Sequence, residues 1–161
     1  MRRWIMASLV ALTVTLGACG PSTQVPADAV LFHVAADAEE VRLDPASVPA
    51  GEVYLALDEP TTAIHFVQRR RTEVEAPGPM TDDDLARLAQ GDLQGTSMEI
   101  FDLTGCDAAQ RAAERGRLRV PGGCGNVFRM TLVPGKYAFL AGNPEVAPGQ
   151  QPTMGILQVT P

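Results

Sequence analysis

Residues 127–141 read Val-Phe-Arg-Met-Thr-Leu, then Val-Pro-Gly, then Lys-Tyr-Ala-Phe-Leu-Ala, which places a three-residue Pro-Gly segment between two apolar runs. Apolar residues that alternate with polar ones are typical of a strand with one buried face, and Pro and Gly interrupt regular structure. This stretch therefore predicts two neighbouring β-strands joined by a turn.

The same pattern recurs on both sides of this stretch. Further short strands are predicted at residues 29–35, 40–43, 53–57, 63–68 and 155–159. The segment from Asp44 to Gly51 is interrupted by Pro and Gly and is predicted to turn. About seven short strands separated by turn residues indicate an all-β protein built as a β-sandwich.

The middle of the chain, residues 72–125, has a different pattern and is predicted to be a partly helical insertion. Thr81-Asp82-Asp83-Asp84 resembles a capping box at the start of a helix, where carboxylates favour the helix dipole. A Ca²⁺ site is the weaker alternative, because consecutive aspartates point in different directions around a helix. Asp107 is predicted to cap a second short helix that contains several alanines.

The two ends of the domain together resemble a cupredoxin of the plastocyanin or azurin type. Val48-Pro-Ala-Gly-Glu-Val53 and Ile64-His65-Phe66-Val67 are similar to the segment with the first copper histidine. Leu132-Val-Pro-Gly-Lys-Tyr137 resembles the turn before the last ligand loop, and Met154-Gly155 resembles the Met and strand that end the family's domain. The resemblance implies a Greek-key β-sandwich.

The copper ligands of that family are incomplete in this sequence. A type 1 copper site needs two His, one Cys thiolate and a weak axial Met. Residues 138–154, where the resemblance places the Cys and the second His, contain neither. We therefore expect no metal cofactor. The alternative is a soft Cu(I) site formed by His65 and Met154, to which other methionines could add thioethers.

Other residues whose side chains could bind a ligand or a metal have simpler interpretations. His33 lies in an apolar strand and is predicted to be a hydrogen-bonded structural histidine, and Met130 is predicted to fill the core. Arg69-Arg70-Arg71 is predicted to be a solvated strand end or to pair with Glu73 and Glu75. Contact with phosphate headgroups is the alternative.

The first residues predict export. Met1-Arg2-Arg3 precedes an apolar run of 13 residues, too few to span a membrane core that needs about 20. Leu16-Gly17-Ala18-Cys19 resembles the bacterial lipobox, whose Cys is lipidated after cleavage. We expect residues 1–18 to be a helical lipoprotein signal peptide, Cys19 the lipidated residue, residues 19–28 a tether, and residues 29–161 the domain.

The two remaining cysteines, Cys106 and Cys124, are predicted to form a disulfide, as a pair in an exported domain most often does. The alternative of a reactive or metal-binding pair lacks the Cys-x-x-Cys spacing and a nearby His.

The net charge and the missing motifs argue against several classes of function. The net charge is −6, and removal of Arg2 and Arg3 with the signal peptide makes it −8, which argues against a general electrostatic attraction to nucleic acid or to anionic lipid. The sequence has no Gly-x-Ser-x-Gly and no phosphate-binding loop, so we do not expect an enzyme. We expect an exported lipoprotein, anchored to a membrane on its periplasmic or external face. It would act as a non-enzymatic binding or adaptor module with a possible protein partner. The alternative is a Cu(I) carrier or chaperone.

Overall fold

The computed structural model describes residues 24–37, 39–58, 63–70, 76–103, 105–142 and 151–161. The predicted signal peptide and Cys19 lie outside these residues. In the part of the chain that is described, no helix is long and apolar enough to cross a membrane.

Nine strands and two short helices follow one another through the described residues. The strands are β1 (Leu31–Ala36), β2 (Val41–Asp44), β3 (Ser47–Pro49), β4 (Gly51–Leu57), β5 (Ile64–Arg69), β6 (Thr96–Phe101), β7 (Val127–Leu132), β8 (Gly135–Ala141) and β9 (Met154–Thr160). The helices are α1 (Asp82–Leu88), between β5 and β6, and α2 (Ala108–Ala113), between β6 and β7.

The strands form two sheets, so the predicted all-β sandwich is confirmed. One sheet has the order β2-β1-β4-β7, and the other has the order β3-β9-β8-β5-β6. Two pairs, β1 with β4 and β3 with β9, are parallel, and the other pairs are antiparallel. Two of the nine strands were not predicted: β3 lies in the segment expected to turn, and β6 lies in the insertion expected to be partly helical.

One side of the sandwich is closed by a stretch of chain that belongs to both sheets. β2 pairs with β1 in the first sheet, and β3, which follows it almost directly, pairs with β9 in the second. On the opposite side the edge strands are β7 and β6. There Phe101 of β6 and Phe128 of β7 place their ring centroids 4.7 Å apart. The two sheets are therefore joined by the backbone on one side and by side chains on the other.

The main core lies between the sheets and consists mainly of the side chains that the strands direct inward. Phe66 is at its centre, with its ring centroid 5.1 Å from that of Phe139 and 5.4 Å from that of Tyr137. Met130 belongs to this core, as predicted. Burial of this apolar surface is the main favourable term in folding. The largest fully buried side chains of this core are Tyr137, Phe32, Phe66, Phe139, Leu55, Leu57, Ile64 and Leu157.

A second apolar layer covers the outer face of the five-stranded sheet. The helix α1 places Leu85 and Leu88 over Val67, Ala138 and Leu140 of that sheet. The predicted capping box is present: the Thr81 hydroxyl accepts from the Asp84 N–H, and the Asp84 carboxylate accepts from the Thr81 N–H at 2.9 Å. Both faces of the central strands are thus buried.

A tyrosine and a proline contact the Pro-Gly turn between β7 and β8 and fix its conformation. The Tyr137 hydroxyl donates to the Val133 carbonyl at 3.0 Å and accepts from the Val133 N–H at 3.3 Å. Gly135 has a φ of +144°, and a Cβ there would overlap Pro79, whose Cγ would be only 2.7 Å away. The turn therefore requires glycine for its backbone angle and for this close approach.

The predicted tether is partly packed on the domain. Gln24 forms a β-bridge with Arg117, and Val25 packs against a small outer cluster of Tyr54, Ala56 and Val127. The tether was predicted to span residues 19–28. Within the described part of that range, Gln24 and Val25 contact the domain.

Candidate functional site

His65 lies on β5 and faces away from the sandwich core. Its neighbours Ile64 and Phe66 both belong to the main core, and side chains alternate between the two faces of a strand. The His65 side chain is therefore on the outer face, the one that α1 covers. The residue is 8% exposed.

Met154 and His65 lie in one row across the outer face. Met154 is opposite Leu140, and Leu140 is opposite His65. Two strand spacings separate His65 from Met154, about 9.5 Å between their backbones. The fully buried Leu140 occupies the position between them. The structure thus places the two predicted residues on one face but does not bring them together as neighbours.

The donor groups on this face do not fit a type 1 copper site. Such a site needs two imidazoles and a thiolate, and the row supplies one imidazole and one thioether. Met80 packs in the same outer layer as Met154, where both fill space among leucines. Among the described residues, no group of three or more His, Cys, Asp or Glu could hold a metal ion.

The same row ends in a surface that the sequence did not reveal. Ile100 of β6 is opposite His65, and Met98 is opposite Val67, so both continue the outer face to the edge of the sheet. Ile100 is 59% exposed and Met98 is 41% exposed. We call these two side chains and the free edge of β6 the β6 surface. In the described residues, no strand pairs with that edge.

His33 is hydrogen-bonded, as predicted. The hydrogen bond lies at the protein surface. Its Nδ1 lies 3.0 and 3.1 Å from the two carboxylate oxygens of Asp58, and both side chains are about half exposed. Phe32 and Val34 fill the core on the other face of β1. His33 is therefore a surface residue that pairs with a carboxylate.

The three consecutive aspartates lie in the first turn of α1. Asp84 accepts from Thr81 and pairs with Arg87 at 2.7 Å and with Arg69 at 3.7 Å. The backbone N–H of Thr81 is the main reason why the pKa of Asp84 is lowered to about 2, and the Thr81 hydroxyl and the two arginines add to it. Asp82 instead pairs with Lys136 at 2.6 Å. Glu73 and Glu75, the predicted partners of the arginine run, lie outside the described residues.

The predicted disulfide is present between Cys106 and Cys124, with an S–S distance of 2.03 Å. Both cysteines are buried. The Cys124 N–H donates to the Glu114 carboxylate at 2.6 Å, and the Arg119 guanidinium donates to the Cys106 sulfur at 3.2 Å. Asp107 caps α2 as predicted, in a capping box with Gln110. The disulfide therefore joins the two ends of the segment that contains α2, a short helix with no buried residue.

Comparison with known proteins gives matches among solved structures. No protein-family profile matches the chain, and no curated protein matches it. A solved structure of auracyanin B, a cupredoxin, matches at 15% sequence identity with a TM-score of 0.38, covering 88% of this chain and 96% of that one. The match at this TM-score adds nothing to the two-sheet sandwich described above, which confirms the predicted all-β architecture.

Proposed function

We propose that this protein is a membrane-anchored, extracytoplasmic lipoprotein whose copper-free domain is a non-enzymatic binding module for a protein partner. The single observation that carries the binding role is the β6 surface. Ile100 and Met98 are exposed apolar residues on an edge strand, next to the apolar layer beneath α1.

An exposed edge strand is a ready template for another strand. Its unpaired N–H and C=O groups can bond to an extended segment, and alternate side chains of that segment then meet the same face. Soluble proteins usually blunt such edges, so an edge with two exposed apolar residues favours a recognition role. The proposed occupant is an extended segment of a partner protein with apolar residues at alternate positions.

The binding role is tested by crosslinking in the cell envelope. A photoreactive amino acid at Ile100 should give a discrete crosslinked product of higher mass. The matched control is Val133, which is also apolar and about half exposed but lies in the β7–β8 turn. Met98→Pro should abolish the Ile100 product if strand addition forms it, because the alternation of the β5–β6 pairs directs the Met98 N–H to the free edge. Equal products from both positions, or none from Ile100, would refute the β6 surface as the binding site.

Titration with Cu(I) tests the alternative role as a copper carrier. We expect the metal-free protein to bind no Cu(I) tightly. Tight one-to-one binding that is lost in both His65→Ala and Met154→Leu would replace the binding-module proposal with a copper carrier or chaperone. Leu140→Ala is an informative companion, because it removes the side chain that stands between the two donors.

Metabolic labelling with a fatty-acid analogue tests the anchor. The wild-type protein should be labelled, and Cys19→Ser should remove the label. An unlabelled protein released wholly into the medium would contradict the lipid anchor.

A further inference from the structure

The charge of the domain is unevenly distributed. Residues 107–119 contain four arginines against Asp107 and Glu114, a net charge of +2. The chain left after the predicted cleavage carries −8, so its other residues carry −10. A local positive segment on an acidic protein attracts anions within roughly a Debye length, about 8–10 Å at physiological salt.

Three of these arginines are exposed together around α2. They are Arg111, Arg115 and Arg117, which we call the α2 arginine surface. The fourth, Arg119, turns inward to the Cys106 sulfur. No residue of α2 is buried, so the helix contributes nothing to either apolar layer. In the described part of the chain, neither Arg111 nor Arg117 forms an ion pair with a carboxylate.

The start of the domain places this surface beside the predicted anchor. Gln24 forms a β-bridge with Arg117, and Val25 packs in the same outer cluster as Leu118. Cys19 precedes Gln24 by five residues. A fully extended chain of that length spans at most about 18 Å. A lipid on Cys19 therefore holds the α2 arginine surface close to the membrane interface, whatever path the intervening residues take.

We propose that the α2 arginine surface docks on the anionic phospholipid headgroups of the membrane in which Cys19 is anchored. This inference rests on the lipid anchor of the proposed function. Phosphate is an anion that a guanidinium can bind in a bidentate manner, and the disulfide fixes the two ends of the segment that carries the arginines. Docking gives the domain a fixed orientation on the membrane. Each exposed arginine is expected to strengthen docking about 5-fold.

Hydrogen exchange on the reconstituted lipoprotein tests this docking. The mature lipidated protein is placed in vesicles of phosphatidylcholine alone or of phosphatidylcholine mixed with phosphatidylglycerol. Amides of residues 107–119 should exchange more slowly in the anionic vesicles, and high salt should abolish the difference. In Arg111→Gln/Arg117→Gln the docking constant should fall about 25-fold.

The matched control is Arg42→Gln/Arg70→Gln, which removes the same charge from exposed positions on β2 and after β5. It should leave the protection of residues 107–119 intact. Equal exchange in the two kinds of vesicle, or equal loss of protection in both variants, would overturn the docking proposal. Intact mass measured on the same sample separates the two proposals. A lipidated Cys19 without protection refutes docking alone, whereas an unlipidated Cys19 refutes the anchor.

Discussion

Replacement of Gly135 by alanine should be one of the most costly single-methyl changes in this domain. Gly135 lies in the turn between β7 and β8, at a φ of +144°, and an added Cβ would overlap the Cβ and Cγ of Pro79. Two separate costs follow. A non-glycine residue at such a φ costs about 1–3 kcal/mol, and overpacking against a neighbour costs about another 1–3 kcal/mol.

Gly51→Ala separates these two costs. Gly51 begins β4 with a φ of +120°, but a Cβ there would meet nothing within 4 Å. It should therefore show the backbone cost alone, reduced by about 0.4–1 kcal/mol because alanine restricts the unfolded chain. We expect a loss of about 1–2 kcal/mol in Gly51→Ala and about 3–5 kcal/mol in Gly135→Ala.

Urea denaturation of the mature protein gives both free energies of unfolding, provided that the slope m is unchanged. Pro79→Gly, alone and combined with Gly135→Ala, completes a double-mutant cycle. Removal of the pyrrolidine ring should recover about 1–3 kcal/mol of the loss in the combined variant. The contact with Pro79 would not be the cause of the larger loss if the losses of stability in Gly135→Ala and Gly51→Ala agreed within about 0.5 kcal/mol. The same conclusion would follow if the double-mutant cycle showed no coupling.

Three further predictions concern the disulfide, the α1 cap and the turn tyrosine. Cys106→Ser/Cys124→Ser opens a loop with a sequence separation of 18 and should lower stability by about 3 kcal/mol in urea; reduction of the wild type should give the same loss. The folded pKa of Asp84, about 2, lies below the ordinary 3.8, so its carboxylate stabilises the fold above about pH 4, and that contribution disappears as the pH falls towards 2. Asp84→Asn should therefore flatten the acid limb of the stability curve in that window, and an unchanged limb would contradict the cap assignment. Tyr137→Phe removes a hydroxyl that bonds to both backbone groups of Val133 and should cost about 1–2 kcal/mol by thermal unfolding; no loss would mean that water replaces it.

Local signals in the sequence predicted the parts of the fold that short-range chemistry controls. The Thr81 and Asp107 caps were recognisable because a capping box needs only side chains three residues apart. The strands on either side of Gly135 were recognisable by their alternation and their turn. The cysteine pair was predictable because two cysteines remained after the assignment of Cys19.

The two unpredicted strands depend on long-range pairing. β3 was assigned to a turn because Pro and Gly interrupt the segment from Asp44 to Gly51. An edge strand tolerates Pro49, however, and β9 pairs with β3 from the far end of the sequence. β6 lies between two helix signals, and only its pairing with β5 makes it part of the sheet. Strand order and register of this kind cannot be read from local propensity.

The candidate site was predictable only in part. His65 was identified from its position in the sequence, and alternation alone could have placed it on the outer face, because Ile64 and Phe66 are the larger apolar neighbours. The exposure of Met98 and Ile100 could not be predicted, since it depends on β6 being an edge strand. The packing of Gln24 and Val25 could not be predicted either, because their partners are far away in the sequence.

The exposed α2 helix has a consequence for how this protein can evolve. None of its residues is buried, and the Cys106–Cys124 bond holds the segment without help from either apolar layer. Substitutions at positions 108–113 can therefore change the local charge without creating a cavity in the core. Related proteins could gain or lose positive charge there while keeping the sandwich unchanged. Apart from Gln110, which completes the capping box, the segment is a place where selection can adjust surface chemistry without disturbing the apolar core.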